Sequence, residues 1–275
     1  MRRQVIQGAD FTLSYERRTL VMGILNLTPD SFSDGGRYLE VERALAQVEA
    51  MMAAGMDILD VGGESTRPNH QPVSAAEEWA RLEPFFSALR ERGGVRVPIS
   101  IDTYKAEVAH RAIESGAGII NDVWGLKRDA SMAEVAAAYR VPIILMHNRE
   151  KPEYEDLMRE LIADLQASVQ SAIRAGVKEE KIVLDPGIGF GKTYEQNLEV
   201  MRRLPELTAL GYPVLLGTSR KSIVGNALGL PPEDRLEGTA ATVAYGIAQG
   251  CHIVRVHDVK EMKRVCAMMD AMLYG

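Results

Sequence analysis

The chain of 275 residues predicts an α/β protein, a (β/α)8 barrel preceded by a short N-terminal β-hairpin. Three observations carry this reading. Eight short apolar runs alternate with eight helical patterns along nearly the whole length, and parallel strands covered on both faces read as unbroken apolar runs. Almost every run ends in a polar cluster, as barrel strands do when their C-terminal ends converge on one catalytic rim. The length suits one barrel of ordinary size with a large core, so residues 1–275 read as one domain.

In chain order, Gln4–Gln7 and Phe11–Tyr15 flank Gly8-Ala9-Asp10, the pattern of a hairpin. It either plugs the floor of the barrel or lies on the surface as a flap. The first strand, Val21–Leu25, ends in Asn26, and the second, Ile58–Val61, runs into Gly62-Gly63-Glu64-Ser65-Thr66-Arg67-Pro68. Ile99–Ile101 ends in Asp102-Thr103, Ile119–Ile120 in Asn121-Asp122, and Ile143–Met146 in His147-Asn148-Arg149. Ile182–Leu184 ends in Asp185-Pro186-Gly187, and Val214–Leu216 in Gly217-Thr218-Ser219-Arg220-Lys221. The eighth, Ile253–Val256, carries Arg255 and ends in His257-Asp258.

Helical periodicity predicts helices over Val41–Ala54, Ala75–Arg92, Ala106–Ser115, Met132–Tyr139, Leu157–Ala175, Tyr194–Leu210, Arg235–Gln249 and Val259–Leu273. Most stop at a glycine, which accepts the left-handed conformation a helix end needs. Pro205 bends or breaks the sixth. Thr28–Tyr38 and Ser65–Ser74 are rich in Gly, Ser, Pro and Asp and too long to be mere links, the mark of lids on a catalytic rim.

A net charge of −6, with acids and bases mixed along the helices, argues against a nucleic-acid partner. No long apolar stretch follows Met1-Arg2-Arg3-Gln4, so neither a secretory signal nor a membrane span is expected, and the location read is the cytoplasm. Cys251 and Cys266 read as buried reduced thiols. Val243, Ile247, Met262, Val265, Met269 and Leu273 give the last two helices more apolar surface than one barrel face needs, which suggests a homodimer.

Several familiar motifs fail. Asp185–Thr193 is no P-loop, because Pro186 stands where the first Gly belongs, and no dinucleotide fingerprint, because Lys192 replaces the third Gly. Its glycines still permit a tight loop with exposed amides, and Phe190 either packs on a ring ligand or within that loop. Ser65 and Ser219 lack the Gly two positions on that a nucleophile elbow requires. No zinc spacing appears.

What remains is a charge pattern at the strand ends. Asp102, Asn121 and Asp185 suit the donor edge of a flat amino-heterocycle. Lys221, Arg255 and His257, with Arg67 from a loop, make an anion site. Asn26, with Asp30 or Asp34, is a hard-oxygen donor suited to Mg²⁺ held through a pyrophosphate, although both acids also read as ordinary solvated loop residues. His147 either faces the site or caps local backbone. Trp124 reads as packing, and His70, His110 and His252 lie off the rim.

At these residues the chain resembles the dihydropteroate synthase family over essentially its full length. The resemblance rests on Asn26–Gly36, Gly63–Pro68, Ile101-Asp102-Thr103, Asn121-Asp122, Asp185–Lys192, Ser219–Ser222 and Arg255–Asp258 in combined order. Asn69 departs from it, standing where the family commonly has Gly. The resemblance implies a TIM barrel that condenses 6-hydroxymethyl-7,8-dihydropterin pyrophosphate with 4-aminobenzoate, giving 7,8-dihydropteroate and pyrophosphate, and that sulfonamides compete with aminobenzoate. It assigns Asp102, Asn121, Asp185, Lys221 and Arg255 to the pterin, with Arg255 stacking on it. Asn26, Arg67, Arg255 and His257 go to pyrophosphate with Mg²⁺, Asn26 being the metal ligand. Thr66, Arg67, Pro68, Phe190, Lys221 and Ser222 go to aminobenzoate. Asp102, Lys221, Arg255 and His257 are the catalytic set. Two rivals share the barrel: a pterin-binding corrinoid methyltransferase, with no use for a Thr66-Arg67-Pro68 loop, and a non-catalytic pterin-binding barrel, which should lack site residues.

Overall fold

A computed structural model describes residues 4–28, 36–65 and 72–275 of the chain. Thr66, Arg67, Pro68, Asn69 and His70, with Asp30 and Asp34, lie outside the described residues.

Strands β1 (Val5–Gln7) and β2 (Thr12–Ser14) pair antiparallel, Ile6 opposite Leu13. The parallel strands follow: β3 (Leu20–Asn26), β4 (Ile58–Gly62), β5 (Ile99–Asp102), β6 (Ile119–Asp122), β7 (Ile143–Met146), β8 (Ile182–Asp185), β9 (Leu215–Leu216) and β10 (Ile253–Val256). From β3 to β8 each pairs with the next, β10 returns to β3, and β9 pairs with β10. A parallel bridge between Leu184 and Val214 completes the ring between β8 and β9. This is the (β/α)8 barrel with its hairpin.

The helices are α1 (Gly36–Ala53), α2 (Ala75–Glu91), α3 (Ala106–Glu114), α4 (Ser131–Tyr139), α5 (Leu157–Arg174), α6 (Tyr194–Arg202), α7 (Leu204–Thr208), α8 (Ser222–Leu228), α9 (Leu236–Ala248) and α10 (Val259–Tyr274). Capping boxes start α2 (Ser74 with Glu77) and α6 (Thr193 with Gln196) by satisfying amides that have no partner inside the helix. The Tyr194–Leu210 pattern breaks at Arg203, and Pro205 enters the first turn of α7, where its missing N–H costs nothing. Helix α8 has no counterpart in the sequence reading. It is short, and Gly225 and Asn226 inside it weaken the helical signal. Gly225 is there for space, since a Cβ would stand 2.2 Å from an Arg235 guanidinium nitrogen.

Alternation along the strands makes two cores. Outward residues such as Val21, Leu59, Ile101, Leu145, Leu184 and Val254 pack under the helices. The inward residues Leu20, Met22, Ile58, Ile119, Ile144, Val183, Leu215 and Ile253 form a second cluster that also contains Ile6, Leu13 and Tyr15. The hairpin is therefore the plug of the barrel floor and not a flap.

The dimer reading needs correcting in its residues. Val243, Ile247 and Met262 are barrel core, and Val265 and Met269 pack partly against it. The exposed apolar side chains here are Tyr245, Met268, Met272, Leu273 and Tyr274. Cys251 and Cys266 are free and buried, and burial pushes both thiols up to about 12. His252 packs edge-on against Tyr15, and His110 bonds Tyr139. Trp124 lies under the Arg128 guanidinium, 4.2 Å from it. No helix among the described residues is long and apolar enough to cross a membrane.

Candidate active site

Two residues beyond the floor cluster, the inward positions turn polar. Ile58 leads to Asp60, Ile119 to Asn121, Val183 to Asp185 and Ile253 to Arg255. Ser100 leads in the same way to Asp102. Register aligns the strand ends: Asn26 sits opposite Gly62, Gly62 opposite Asp102, and Asp102 opposite Asn121. A Cβ on Gly62 would stand 3.5 Å from the Asp102 Cβ and 3.7 Å from the Asn26 Oδ1, so the bare glycine brings those two side chains close.

Arg255 organises the layer. Its Nε donates to Asp60 Oδ2 and its Nη2 to Asp102 Oδ2, each at 2.6 Å. Asn121 Nδ2 donates to the same Asp60 oxygen at 3.2 Å. Both Arg255 bonds use in-plane donors, which leaves the guanidinium faces out of this pairing. The other oxygen of Asp102, Oδ1, is buried with no hydrogen-bond partner among the described residues. Burial pushes the Asp102 carboxyl up to about 7, against the pull of Arg255.

The opposite wall is built by β8 and the β9 loop. Asp185 is buried and accepts from the Gly187 amide at 2.7 Å. Burial raises its pKa, while Lys221 opposes that shift. Lys221 is pushed down to about 8 by burial. Its Nζ donates to the Ile188 carbonyl at 2.7 Å and stands 4.6 Å from the Phe190 ring centroid. A Cβ on Gly217 would lie 3.6 Å from Lys221 Nζ and 3.8 Å from Arg255 Cβ, which places these two cations side by side over bare backbone. The His257 ring Nδ1 is 3.0 Å from Ser219 Oγ, which accepts from the His257 amide. Ser222, the exposed first residue of α8, follows Lys221 directly.

The structure thus gathers Asn26, Asp102, Asn121, Asp185, Phe190, Lys221, Ser222, Arg255 and His257 at one end of the barrel. Thr66, Arg67 and Pro68 fall outside the described residues. His147 takes neither expected role, since its Nδ1 meets Lys192 Nζ at 2.9 Å. Sequence reasoning missed Asp60 and the Ser219 contact. Asp60 had a signal: an acid within the apolar run Ile58–Val61 must be paired if buried. Among the described residues, no cluster of three or more His, Cys, Asp or Glu side chains could hold a metal ion.

Buried carboxylates interleaved with the cations Arg255 and Lys221 at the strand ends define a class, and the comparisons agree on it. Residues 22–257 match the family described as pterin binding enzyme. The chain is 56% identical over 270 residues to the dihydropteroate synthase of Bacillus subtilis, covering 98% of this chain and 94% of that protein. The crystal structure of a Clostridium difficile dihydropteroate synthase with pteroic acid superposes with a TM-score of 0.91 at 50% identity, covering 94% of this chain and 98% of that one. A Xanthomonas albilineans dihydropteroate synthase with 4-aminobenzoic acid gives 0.92 at 38% identity, covering 98% of each. The chain belongs to the dihydropteroate synthases.

Proposed function

We propose that this site joins a dihydropterin methyl pyrophosphate to 4-aminobenzoate by letting pyrophosphate leave first. The observation that carries the reading is the buried, unpartnered Asp102 Oδ1 beside Arg255. A buried carboxylate oxygen without a partner is costly, and a ring N–H on the pterin supplies the missing donor. Asn121 and Asp185 receive the rest of the amino edge, and Lys221 holds the ring from its other side. Arg255 offers a guanidinium face for stacking.

The aniline nitrogen of 4-aminobenzoate is a weak nucleophile, so the favourable route makes the pterin methylene electrophilic. Asp102 stabilises the positive charge that spreads into the ring as the C–O bond breaks. Arg67, Arg255 and His257 stabilise the departing pyrophosphate. Phe190, Lys221 and Ser222, with Thr66, Arg67 and Pro68, seat aminobenzoate so that its nitrogen faces the cationic carbon. No covalent enzyme intermediate is needed. A sulfonamide, which mimics aminobenzoate, competes for the same seat.

Asn26 fits Mg²⁺ only as one hard oxygen donor to an ion held mostly by diphosphate and water. When bound, Mg²⁺ supplies charge neutralisation on the leaving group. We place the enzyme in the cytoplasm as a homodimer, joined through the exposed Met268, Met272 and Leu273 side of α10.

Pure protein incubated with Mg²⁺, the pterin pyrophosphate and 4-aminobenzoate should release pyrophosphate only when all three are present, and EDTA should suppress release. Release without aminobenzoate would leave a hydrolase and overturn the reading. A corrinoid methyltransferase would release none.

A further inference from the structure

The loop after β8 bears Ile188 and Phe190, which meet the Lys221 ammonium, and the substrate residue Asp185 ties only its first turn, through the Gly187 amide. Gly187, Gly189 and Gly191 all have left-handed φ, at 67°, 84° and 54°, so the segment relies on outside ties. Asn197 holds the Gly189 amide and Tyr154 the Gly191 carbonyl, each at 2.7 Å, and Lys192, within the loop itself, fastens it to His147. The Lys192 Nζ contacts the carbonyls of Gly187 at 3.0 Å and Phe190 at 3.1 Å, and His147 Nδ1 at 2.9 Å.

Burial lowers Lys192 to about 7 while Asp185 favours its charged form, and in that form the three contacts match the three donors of an ammonium. With His147 Nδ1 accepting, the ring proton sits on Nε2, which faces Asp164 Oδ2 at 3.2 Å as a charge–dipole contact outside hydrogen-bond geometry. Asp164 is itself held by Lys127 at 3.0 Å and Arg149 at 2.9 Å. Burial lowers His147 to about 4, consistent with a neutral ring in this role. The chain of contacts runs from the α5 surface to the two carbonyls flanking Ile188. A Cβ on Gly187 would stand 1.9 Å from the His147 carbonyl, so the loop lies flush on the same residue that holds Lys192.

We propose that Lys192, oriented by His147 and Asp164, is a positioning residue for the synthase reaction: it clamps the β8 loop so that the Ile188 carbonyl and the Phe190 ring fix the Lys221 ammonium against aminobenzoate. This rests on the synthase reading above. The clamp acts on Phe190, which serves aminobenzoate alone, and on Lys221, which both substrates share, whereas Asp102, Asn121 and Arg255 keep their own bonds and still hold the pterin. Loss of the clamp should therefore separate the two substrates.

The test is steady-state kinetics of Lys192→Met, alongside melting temperature. The expected result is a KM for 4-aminobenzoate raised by at least ~10-fold, with the KM for pterin pyrophosphate changed less than about threefold, as for a misplaced orienting group. A purely structural lysine would lower the melting temperature and leave both KM values unchanged, and that outcome overturns the proposal. A pair of His147 variants decides the matter even if Lys192→Met does not fold. His147→Gln retains an acceptor for Lys192 and should keep near-normal KM values, whereas His147→Leu removes it and should repeat the split. Equal KM values in the two overturn the proposal. An inactive wild-type protein would instead refute the synthase reading.

Discussion

Arg255 spans Asp60 and Asp102, donating a 2.6 Å hydrogen bond to each, so one guanidinium ties the middle of β4 to the end of β5. Asp60 is fully buried, so its charge is tolerable only because Arg255 and Asn121 meet it. Asp60→Ala leaves Arg255 with a single carboxylate and removes the pairing that sets its orientation. The expected loss is about 3 kcal/mol of unfolding free energy, with a fall of at least ~10-fold in kcat/KM. Chemical denaturation and pyrophosphate release measure the two. A variant of unchanged stability and rate would show that Arg255 needs no such frame.

Arg255→Ala and Asp185→Ala should each lower kcat by at least ~10²-fold, the scale of a preorganised electrostatic group. Asp185→Ala should also weaken pterin binding, which calorimetry with a pterin analogue reads directly. Full turnover in either variant would remove that residue from its role.

The Asp102 carboxyl, raised by burial to about 7, predicts the pH dependence. Only its ionised form can stabilise a cationic ring, so kcat/KM should fall about tenfold per pH unit below that value. Asp102→Asn should lose this acidic limb together with most of the rate. The stability effect has the opposite sense. A carboxyl whose folded pKa is raised favours folding most when protonated, and this contribution is lost as pH rises through about 7. Unfolding free energies should therefore shift in favour of Asp102→Asn as pH climbs from about 4 to about 7 and then level off.

Gly187→Ala should cost about 3 kcal/mol or prevent folding, because φ is 67° and the new Cβ meets the His147 carbonyl. Gly93→Ala is the control with space: it has φ of 86° and nothing within 4 Å of the added atom. Its penalty should be the conformational one alone, about 1 kcal/mol. Thermal melts compare them, and equal losses would show that the loop yields freely.

Sedimentation should give twice the 30.3 kDa chain mass, and Met268→Glu combined with Met272→Glu should give one chain. Those methionines are each 59% exposed, so charging them should leave the melting temperature of the barrel intact.

How much was legible in advance follows from period and polarity. Apolar runs announce strands, and a polar residue just past each run announces the rim, so Asp102, Asn121 and Asp185 were readable, and Arg255 stood out as a cation within the eighth run. Asp60 was missed although an acid inside an apolar run must be paired if buried, because its partner lies 195 residues away. Helix α8 was hidden because Gly225 yields space to Arg235, and packing outweighed propensity. His147 was ambiguous for the same reason: its function depends on Lys192, which sequence marks only as the residue that spoils a glycine motif.

The plugged floor has a consequence for traffic. With Ile6, Leu13 and Tyr15 stoppering one end, the proposed route for both substrates is the opposite end, where the polar strand ends lie. On the proposed reading the pterin meets the buried Asp102 and Asp185 while aminobenzoate meets the half-buried Phe190 and the exposed Ser222, so the heterocycle should load first and the smaller ring second.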